Sequence, residues 1–153
     1  MAGDHERPLA PRGTAAAPRM GAEMKRLGLV PDLVLCSTAT RAQATVTLVL
    51  DAMDIAPKTI FDRRIYDAEA EDLIDLITEF CPGTDRILVV GHNPTMQIAA
   101  SRLARDGGEE ALIRLETKFP TAGLAVIDFD PGNWSGANLD GGRLAAFITP
   151  ANL

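Results

Sequence analysis

Ile87-Leu88-Val89-Val90-Gly91-His92-Asn93-Pro94 is the stretch of sequence that decides the fold. Four branched apolar residues end at a glycine, and an amphipathic run begins at Thr95. This pattern predicts a buried strand that leads directly into a helix. In open α/β sheets the ligand crevice lies beyond the carboxyl ends of such strands. The sequence therefore places His92 beside a candidate ligand crevice.

Further strands and helices are predicted on both sides of this unit from apolar spacing and from glycine and proline boundaries. Strands are predicted at Leu33–Cys36, Lys58–Phe61, 86–90, 124–129 and 143–148. Helices are predicted at 16–27, through Ala42, Val46, Val49 and Met53, at 72–80, and from Pro94 to about Arg105. Pro18 is expected in the first turn of the first helix. Ser37 or Thr38 is expected to cap the second helix, and Asn93 the last.

The remaining segments are predicted to connect these elements. Residues 4–13, 62–71 and 131–142 are expected to be a loop, a polar connection and a turn, and the pattern of 110–119 fits neither helix nor strand. Alternation of helices and strands predicts one α/β domain over residues 1–153, with a mainly parallel sheet between two helical layers. The last two strands are expected to be antiparallel because a turn joins them. No strand precedes the first helix, so we predict that the first central strand is missing.

Composition narrows the possible partners. The 153 residues carry a net charge of -6, which argues against nucleic acid or an anionic membrane as the main partner. No apolar run is long enough to predict a transmembrane helix, and the first residues lack the features of a signal peptide. Cys36 and Cys81 have no metal-binding spacing and are predicted to be buried thiols. We therefore expect a cytoplasmic protein.

Two strand ends carry residues suited to binding an anion. Arg41 follows the strand that ends at Cys36, and His92 follows the strand that ends at Val90. If these strands are neighbours, both side chains converge on one crevice. A guanidinium can bind two phosphate oxygens, helix N-termini supply free N–H groups, and a histidine can donate to a third oxygen. The alternatives are a solvated arginine in a first helical turn and a histidine satisfied within its own turn.

Several motifs resemble the histidine phosphatase superfamily, specifically its short SixA-type phosphohistidine phosphatase branch. They follow one another in the family's order, from the first loop to a late strand. The matching segments are Asp4-His5-Glu6-Arg7-Pro8-Leu9 with Arg12-Gly13, Ala17-Pro18-Arg19-Met20-Gly21, Pro31-Asp32-Leu33-Val34-Leu35 with Ser37, Arg41-Ala42 and Thr45, Val89-Val90-Gly91-His92-Asn93-Pro94, and Pro120-Thr121-Ala122-Gly123-Leu124-Ala125.

The resemblance implies a phosphoglycerate mutase-like fold and a metal-independent mechanism. In the family, a histidine of an Arg-His motif on the first strand attacks phosphorus and forms a phosphohistidine intermediate, which water hydrolyses. Two arginines and a second histidine hold the phosphoryl oxygens. The matching motifs imply that Arg41 corresponds to the family's second arginine and that His92 corresponds to its second histidine. The implied substrate is a phosphohistidine on a protein, or a small phosphorylated molecule.

The nucleophile has no counterpart in these 153 residues, because the sequence contains no Arg-His pair. His5 matches the loop that follows the catalytic strand in the family, so we do not expect it to replace the nucleophile. We expect the family's first strand and its Arg-His motif to lie upstream of Met1. The chain as written is accordingly predicted to lack turnover and to be less stable than the family norm.

Other candidate residues have weaker support. Arg7 and Thr121 are candidate phosphate ligands, although solvated loop arginines such as Arg7 and Arg12 are common. Glu69 is a candidate acid for the leaving group, but an acidic residue at a helix start is commonly placed there by the helix dipole. Two other functions stay open, a non-catalytic phosphate-binding remnant and a phosphatase of small phosphoesters.

Overall fold

The structure is a computed structural model that describes residues 3–153. Helices alternate with strands from residue 11 to residue 148, except that two helices follow each other between the second and third strands, and a 3-10 helix follows at Pro150–Asn152. The elements are α1 (Pro11–Arg26), β1 (Leu33–Cys36), α2 (Thr40–Met53), β2 (Lys58–Phe61), α3 (Arg63–Asp67), α4 (Ala70–Phe80), β3 (Ile87–Val90), α5 (Thr95–Leu103), β4 (Ala104–Gly107), α6 (Glu109–Thr117), β5 (Leu124–Asp128), α7 (Pro131–Ser135) and β6 (Gly142–Ile148).

The first three strands form a parallel sheet in the order β2-β1-β3. All four residues of β1 are buried, because helices cover both faces of the strand. Val34 and Cys36 pack on α2, whereas Leu33 and Leu35 pack on α3, α4 and α5. This arrangement of helices on both faces of a parallel sheet confirms the predicted α/β fold class.

The last three strands form a second sheet in the order β4-β6-β5. β5 and β6 are antiparallel, as the short connection between them predicts, and β4 runs parallel to β6. Within residues 3–153 no strand is hydrogen-bonded between β3 and β5, so each of these strands ends its own sheet. Leu88 of β3 and Leu124 of β5 nevertheless pack on one apolar cluster of α1 and α2. The two sheets therefore share a helical layer without sharing a hydrogen-bonded edge.

The predicted start of the first helix is wrong. α1 begins at Pro11 rather than at residue 16, and Pro18 lies inside the helix instead of in its first turn. Pro11 suits the first turn because that position needs no N–H donor. Pro18 costs the helix one backbone hydrogen bond. The burial of Met20 and Met24 against α2 offsets this cost, since these side chains keep the helix continuous across the proline.

The predicted caps are also wrong. α2 has Ala39 as its N-cap and α5 has Pro94, and neither helix has a side-chain cap. Ser37 instead accepts the Ala39 N–H and contacts His92, and the Asn93 amide donates to the Phe119 carbonyl at 2.7 Å. These polar side chains form hydrogen bonds between different elements, and such long-range contacts cannot be predicted from the local sequence.

Short helices occupy parts of the predicted connections. α3 lies within the predicted polar connection 62–71, where Asp62 caps the helix by accepting the Arg64 N–H. α7 lies within the predicted turn 131–142, and the ambiguous segment 110–119 is mostly α6. β4 replaces the predicted last residues of the helix that follows His92. No helix within residues 3–153 combines the length and apolar character needed to cross a bilayer.

Candidate active site

Polar side chains, which we call the crevice, meet at the carboxyl ends of β1 and β3, where the register of the parallel strands brings the two chain segments together. Ser37 follows β1 directly, and His92 lies two residues after β3. His92 Nε2 and Ser37 Oγ are 2.7 Å apart. Ser37 is fully buried, and its Oγ also accepts the Ala39 N–H at 3.1 Å. This hydrogen-bonded pair forms the floor of the crevice.

The surroundings of His92 favour its neutral form. Burial, followed by the nearby Arg41 charge, lowers the pKa of His92, while the carboxylate of Asp4 opposes this shift. The side chains of Arg7 and His5 also lower the pKa of His92 by electrostatic repulsion. A neutral imidazole has one N–H donor and one acceptor nitrogen. His92 can therefore donate one hydrogen bond to an anion without itself carrying a charge.

Arg41 lies in the first turn of α2 and reaches across to the loop that precedes α1. Its Nη1 donates to the Asp4 carbonyl oxygen at 2.8 Å, and its Nη2 donates to Asp4 Oδ2 at 3.2 Å. The side chain of Arg41 is only 19% exposed, compared with 57% for Asp4. The guanidinium is thus held in a fixed orientation near His92, whose pKa it lowers.

Tyr66 closes the crevice from α3. Its hydroxyl donates to Asp4 Oδ2 at 2.6 Å, which is the main cause of the lowered pKa of that carboxyl. The Tyr66 ring makes edge-to-face contacts with His5, at 4.8 Å between ring centroids, and with His92, at 5.4 Å. Sequence reasoning did not assign Tyr66 to the site, because it lies in a polar connection without a recognisable motif.

His5 also lies in the crevice, although the sequence suggested only a loop position for it. Its Nε2 is 2.8 Å from Thr38 Oγ1, and its Nδ1 is 3.5 Å from a carboxylate oxygen of Glu6. The backbone carbonyl of His5 accepts the Thr40 N–H, which ties the loop to the start of α2. Because both ring nitrogens face neighbouring side chains, neither is presented freely for attack on phosphorus.

The weaker candidates occupy different places. Arg7 is exposed and lies 3.4 Å from Asp4 Oδ1, at the rim of the crevice. Arg12 is exposed on α1, and Thr121 is exposed in the turn before β5. Glu69 is the exposed N-cap residue of α4, and its N–H donates to Asp72 at 3.3 Å. Among the described residues, therefore, only Arg7 of these four contacts the Asp4–Arg41 pair.

The chemistry of the crevice suits a phosphoryl group. A fixed guanidinium, a neutral histidine and a rim arginine surround it in a chain whose overall charge is negative. Such donors bind tetrahedral oxyanions and stabilise charge that develops during phosphoryl transfer. No group of three His, Cys, Asp or Glu residues within 3–153 is arranged to hold a metal ion.

Two mycobacterial proteins are similar to the chain along nearly its whole length. No protein-family model matches the chain. It is 36% identical over 149 residues to an uncharacterised protein of Mycobacterium tuberculosis (strain CDC 1551 / Oshkosh), covering 96% of this chain and 91% of the relative. It is 34% identical over 148 residues to an uncharacterised protein of Mycobacterium leprae (strain TN), covering 96% of this chain and 89% of the relative.

Solved structures give the family. A protein of Agrobacterium tumefaciens assigned as the phosphohistidine phosphatase SixA superposes with a TM-score of 0.79 at 29% identity, covering 97% of this chain and 87% of that chain. A protein of Nakamurella multipartitia with the same assignment superposes with a TM-score of 0.79 at 26% identity, covering 98% and 88%. The chain belongs to the histidine phosphatase superfamily. Both of these neighbours carry the SixA assignment, and both overlap with nearly the whole chain.

Proposed function

We propose that this protein is a phosphohistidine phosphatase that hydrolyses its substrate through a phosphohistidine intermediate on the enzyme. The observation that carries the proposal is the pairing of His92 with the end of β1, in the same crevice as the fixed guanidinium of Arg41. In this mechanism Arg41 and His92 hold the phosphoryl oxygens while the phosphorus is transferred. The fixed cations stabilise the transferring group, so the proposed mechanism uses no metal.

We further propose that the nucleophile lies on a strand that fills the space between β3 and β5. These two strands end their sheets and pack on the same helical cluster. A strand seated there, parallel to β3, would end beside His92, where an attacking histidine is needed. The 153 residues contain no Arg-His pair that could supply this group.

The proposed substrate is a phosphorylated histidine on a protein. Imidazole leaves readily once it is protonated or hydrogen-bonded, so this reaction makes a smaller demand on a general acid than phosphoester hydrolysis does. We propose that the protein acts in the cytoplasm, because Cys36 and Cys81 are buried and unbridged. Burial raises the pKa of the Cys36 thiol to about 12, which keeps it unreactive.

The test compares the 153-residue chain with a longer chain that includes an in-frame upstream strand ending in Arg-His. Hydrolysis of phosphohistidine, phosphoserine and a sugar phosphate is measured for both. We expect the longer chain to prefer phosphohistidine, and His92→Ala to reduce its rate by about 100-fold to 1,000-fold, as for a lost oxyanion donor. Hydrolysis of phosphohistidine by the 153-residue chain alone, at a rate that His92→Ala abolishes, would overturn the proposal that the nucleophile lies on an added strand. Failure of the longer chain to hydrolyse phosphohistidine would overturn the proposed function.

A second candidate is a non-catalytic phosphate-binding module that uses Arg41 and His92. The absence of an Arg-His pair from the sequence favours it. It requires phosphate binding by the 153-residue chain and no in-frame apolar segment ending in Arg-His upstream of Met1. A preference of the longer chain for the sugar phosphate would instead indicate a phosphatase of small phosphoesters.

A further inference from the structure

We propose that Tyr66 is a positioning residue of the phosphate site, which acts on Arg41 by holding the carboxylate of Asp4. The inference rests on the proposed role of Arg41 and His92 in phosphate binding. It assigns a function to a side chain that none of the recognised sequence motifs contains.

The contacts of Arg41 show which of its hydrogen-bond donors are not used by Asp4. Both Nη atoms donate to Asp4, so Asp4 occupies the end of the guanidinium. Within residues 3–153 the Nε of Arg41 donates to no protein acceptor. The planar guanidinium carries five donors, so its side edge, formed by Nε and the second hydrogen of Nη2, is available for two phosphate oxygens. Asp4 can therefore orient Arg41 without occupying the edge that a phosphate needs.

Tyr66 restricts the position of this carboxylate. Asp4 Oδ2 accepts from the Tyr66 hydroxyl at 2.6 Å and from Arg41 Nη2 at 3.2 Å. Without the hydroxyl, the remaining charged partners of the carboxylate are Arg41 and the exposed Arg7. The carboxylate would then be free to move onto the side edge of Arg41, where it would compete with phosphate. The Tyr66 hydroxyl prevents this competition by giving the carboxylate a second fixed donor.

The ring contacts of Tyr66 allow the role of its hydroxyl to be tested separately from the packing of its ring. The ring contacts both His5 and His92 by its edge or face, and Arg63 lies over it at 5.2 Å. A phenylalanine retains these ring contacts and removes only the hydroxyl. If Tyr66 served only as a wall of the crevice, Tyr66→Phe would leave phosphate binding unchanged. If the hydroxyl holds Asp4, the same substitution weakens binding.

The experiment is a double-mutant cycle on the 153-residue chain, with inorganic phosphate as the probe and calorimetry as the measurement. We expect Tyr66→Phe to weaken phosphate binding about threefold to tenfold, a range typical of the loss of one charge-assisted hydrogen bond that acts indirectly. In an Asp4→Ala background, the same substitution should change affinity by less than about twofold, because the competing carboxylate is gone. Thr47→Val removes an exposed hydroxyl elsewhere on α2 and is expected to leave the affinity unchanged.

A spectroscopic readout distinguishes positioning from unfolding. The chain contains two histidines, so its imidazole NMR spectrum has two ring systems, which His5→Gln and His92→Gln assign. In Tyr66→Phe the His92 signals should still shift on saturation with phosphate, at a higher phosphate concentration. Equal effects of Tyr66→Phe with and without the Asp4→Ala substitution would overturn the inference, as would unchanged affinity. If the unaltered chain binds no phosphate, the proposed site itself is wrong as well.

Discussion

His92 Nε2 and Ser37 Oγ, which come from two segments 55 residues apart in the sequence, lie 2.7 Å from each other. Each side chain lies just beyond the end of a parallel strand, and the register that pairs Cys36 with Val90 brings these ends level. The serine is completely buried and also accepts the Ala39 N–H at the start of α2. The orientation of the histidine is therefore set by the sheet and by a helix start together.

Ser37→Ala should weaken phosphate binding although the serine is not exposed to ligand. The substitution leaves the His92 ring without its fixed partner and the Ala39 N–H without its acceptor. Unfolding in urea should show a loss of about 1 to 3 kcal/mol, the usual cost of unsatisfied buried polar groups. Ser101→Ala, in the last turn of α5, serves as the control for serine removal. An affinity equal to that of the unaltered chain would show that His92 holds its position without Ser37.

Arg41→Lys should reduce phosphate affinity by about tenfold or more, because an ammonium cannot contact Asp4 and two phosphate oxygens with one rigid fork. Since the positive charge is retained, the substitution tests geometry. Arg64→Lys is a suitable control, since Arg64 is exposed on α3 and pairs with Asp62. Titration with inorganic phosphate gives the affinities. Full binding by Arg41→Lys would mean that the site needs only a positive charge at this position.

The lowered pKa of His92 makes stability depend on pH in a defined direction. The unfolded chain binds the proton more readily than the folded chain, so the contribution is fully present above the ordinary value of 6.5 and is lost as the pH falls from there through the lowered pKa. Between about pH 7.5 and about pH 5, the free energy of unfolding should therefore fall more for the unaltered chain than for His92→Gln. Urea titrations at several pH values measure the difference. Parallel curves would contradict it, and Asp4 does not interfere because its lowered pKa places its own loss below pH 3.8.

Asp32→Ala should reduce stability while leaving phosphate affinity unchanged. Its carboxylate accepts the Arg86 N–H at 2.8 Å and the Asp85 N–H at 2.9 Å, at the end of β1 and β3 opposite the crevice. Because Asp32 is exposed, we expect a loss of only about 1 kcal/mol from these two bonds. Urea unfolding and phosphate titration measure the two effects separately. A parallel loss of affinity would show that strand register at this end is transmitted to His92.

The sequence predicts the elements that have strong apolar runs and predicts less well those that depend on distant partners. β1 and β3 form where branched apolar residues cluster, because such residues favour burial on both faces of a parallel sheet. The sequence misplaces the start of α1 because two prolines usually mark the edges of a helix, whereas burial against α2 carries the helix across Pro18.

The site shows the same division between local and long-range information. Arg41 and His92 are predictable because each follows a strand, and parallel strands end at one edge. Tyr66 and His5 are not predictable in their positions, since both come from connecting segments whose placement depends on Asp4 and Thr38. Spacing along the chain carries no signal for such contacts.

The edges of β3 and β5, which have no strand paired between them in the described residues, also affect which parts of the protein unfold together. Each three-stranded sheet keeps its own hydrogen bonds, and helices α1 and α2 pack on strands of both sheets. Amide protons of β1 and β3 can therefore exchange with solvent in a different opening event from those of β5 and β6. Hydrogen exchange should resolve two cooperative units in the 153-residue chain, and a strand inserted between them should merge the two into one.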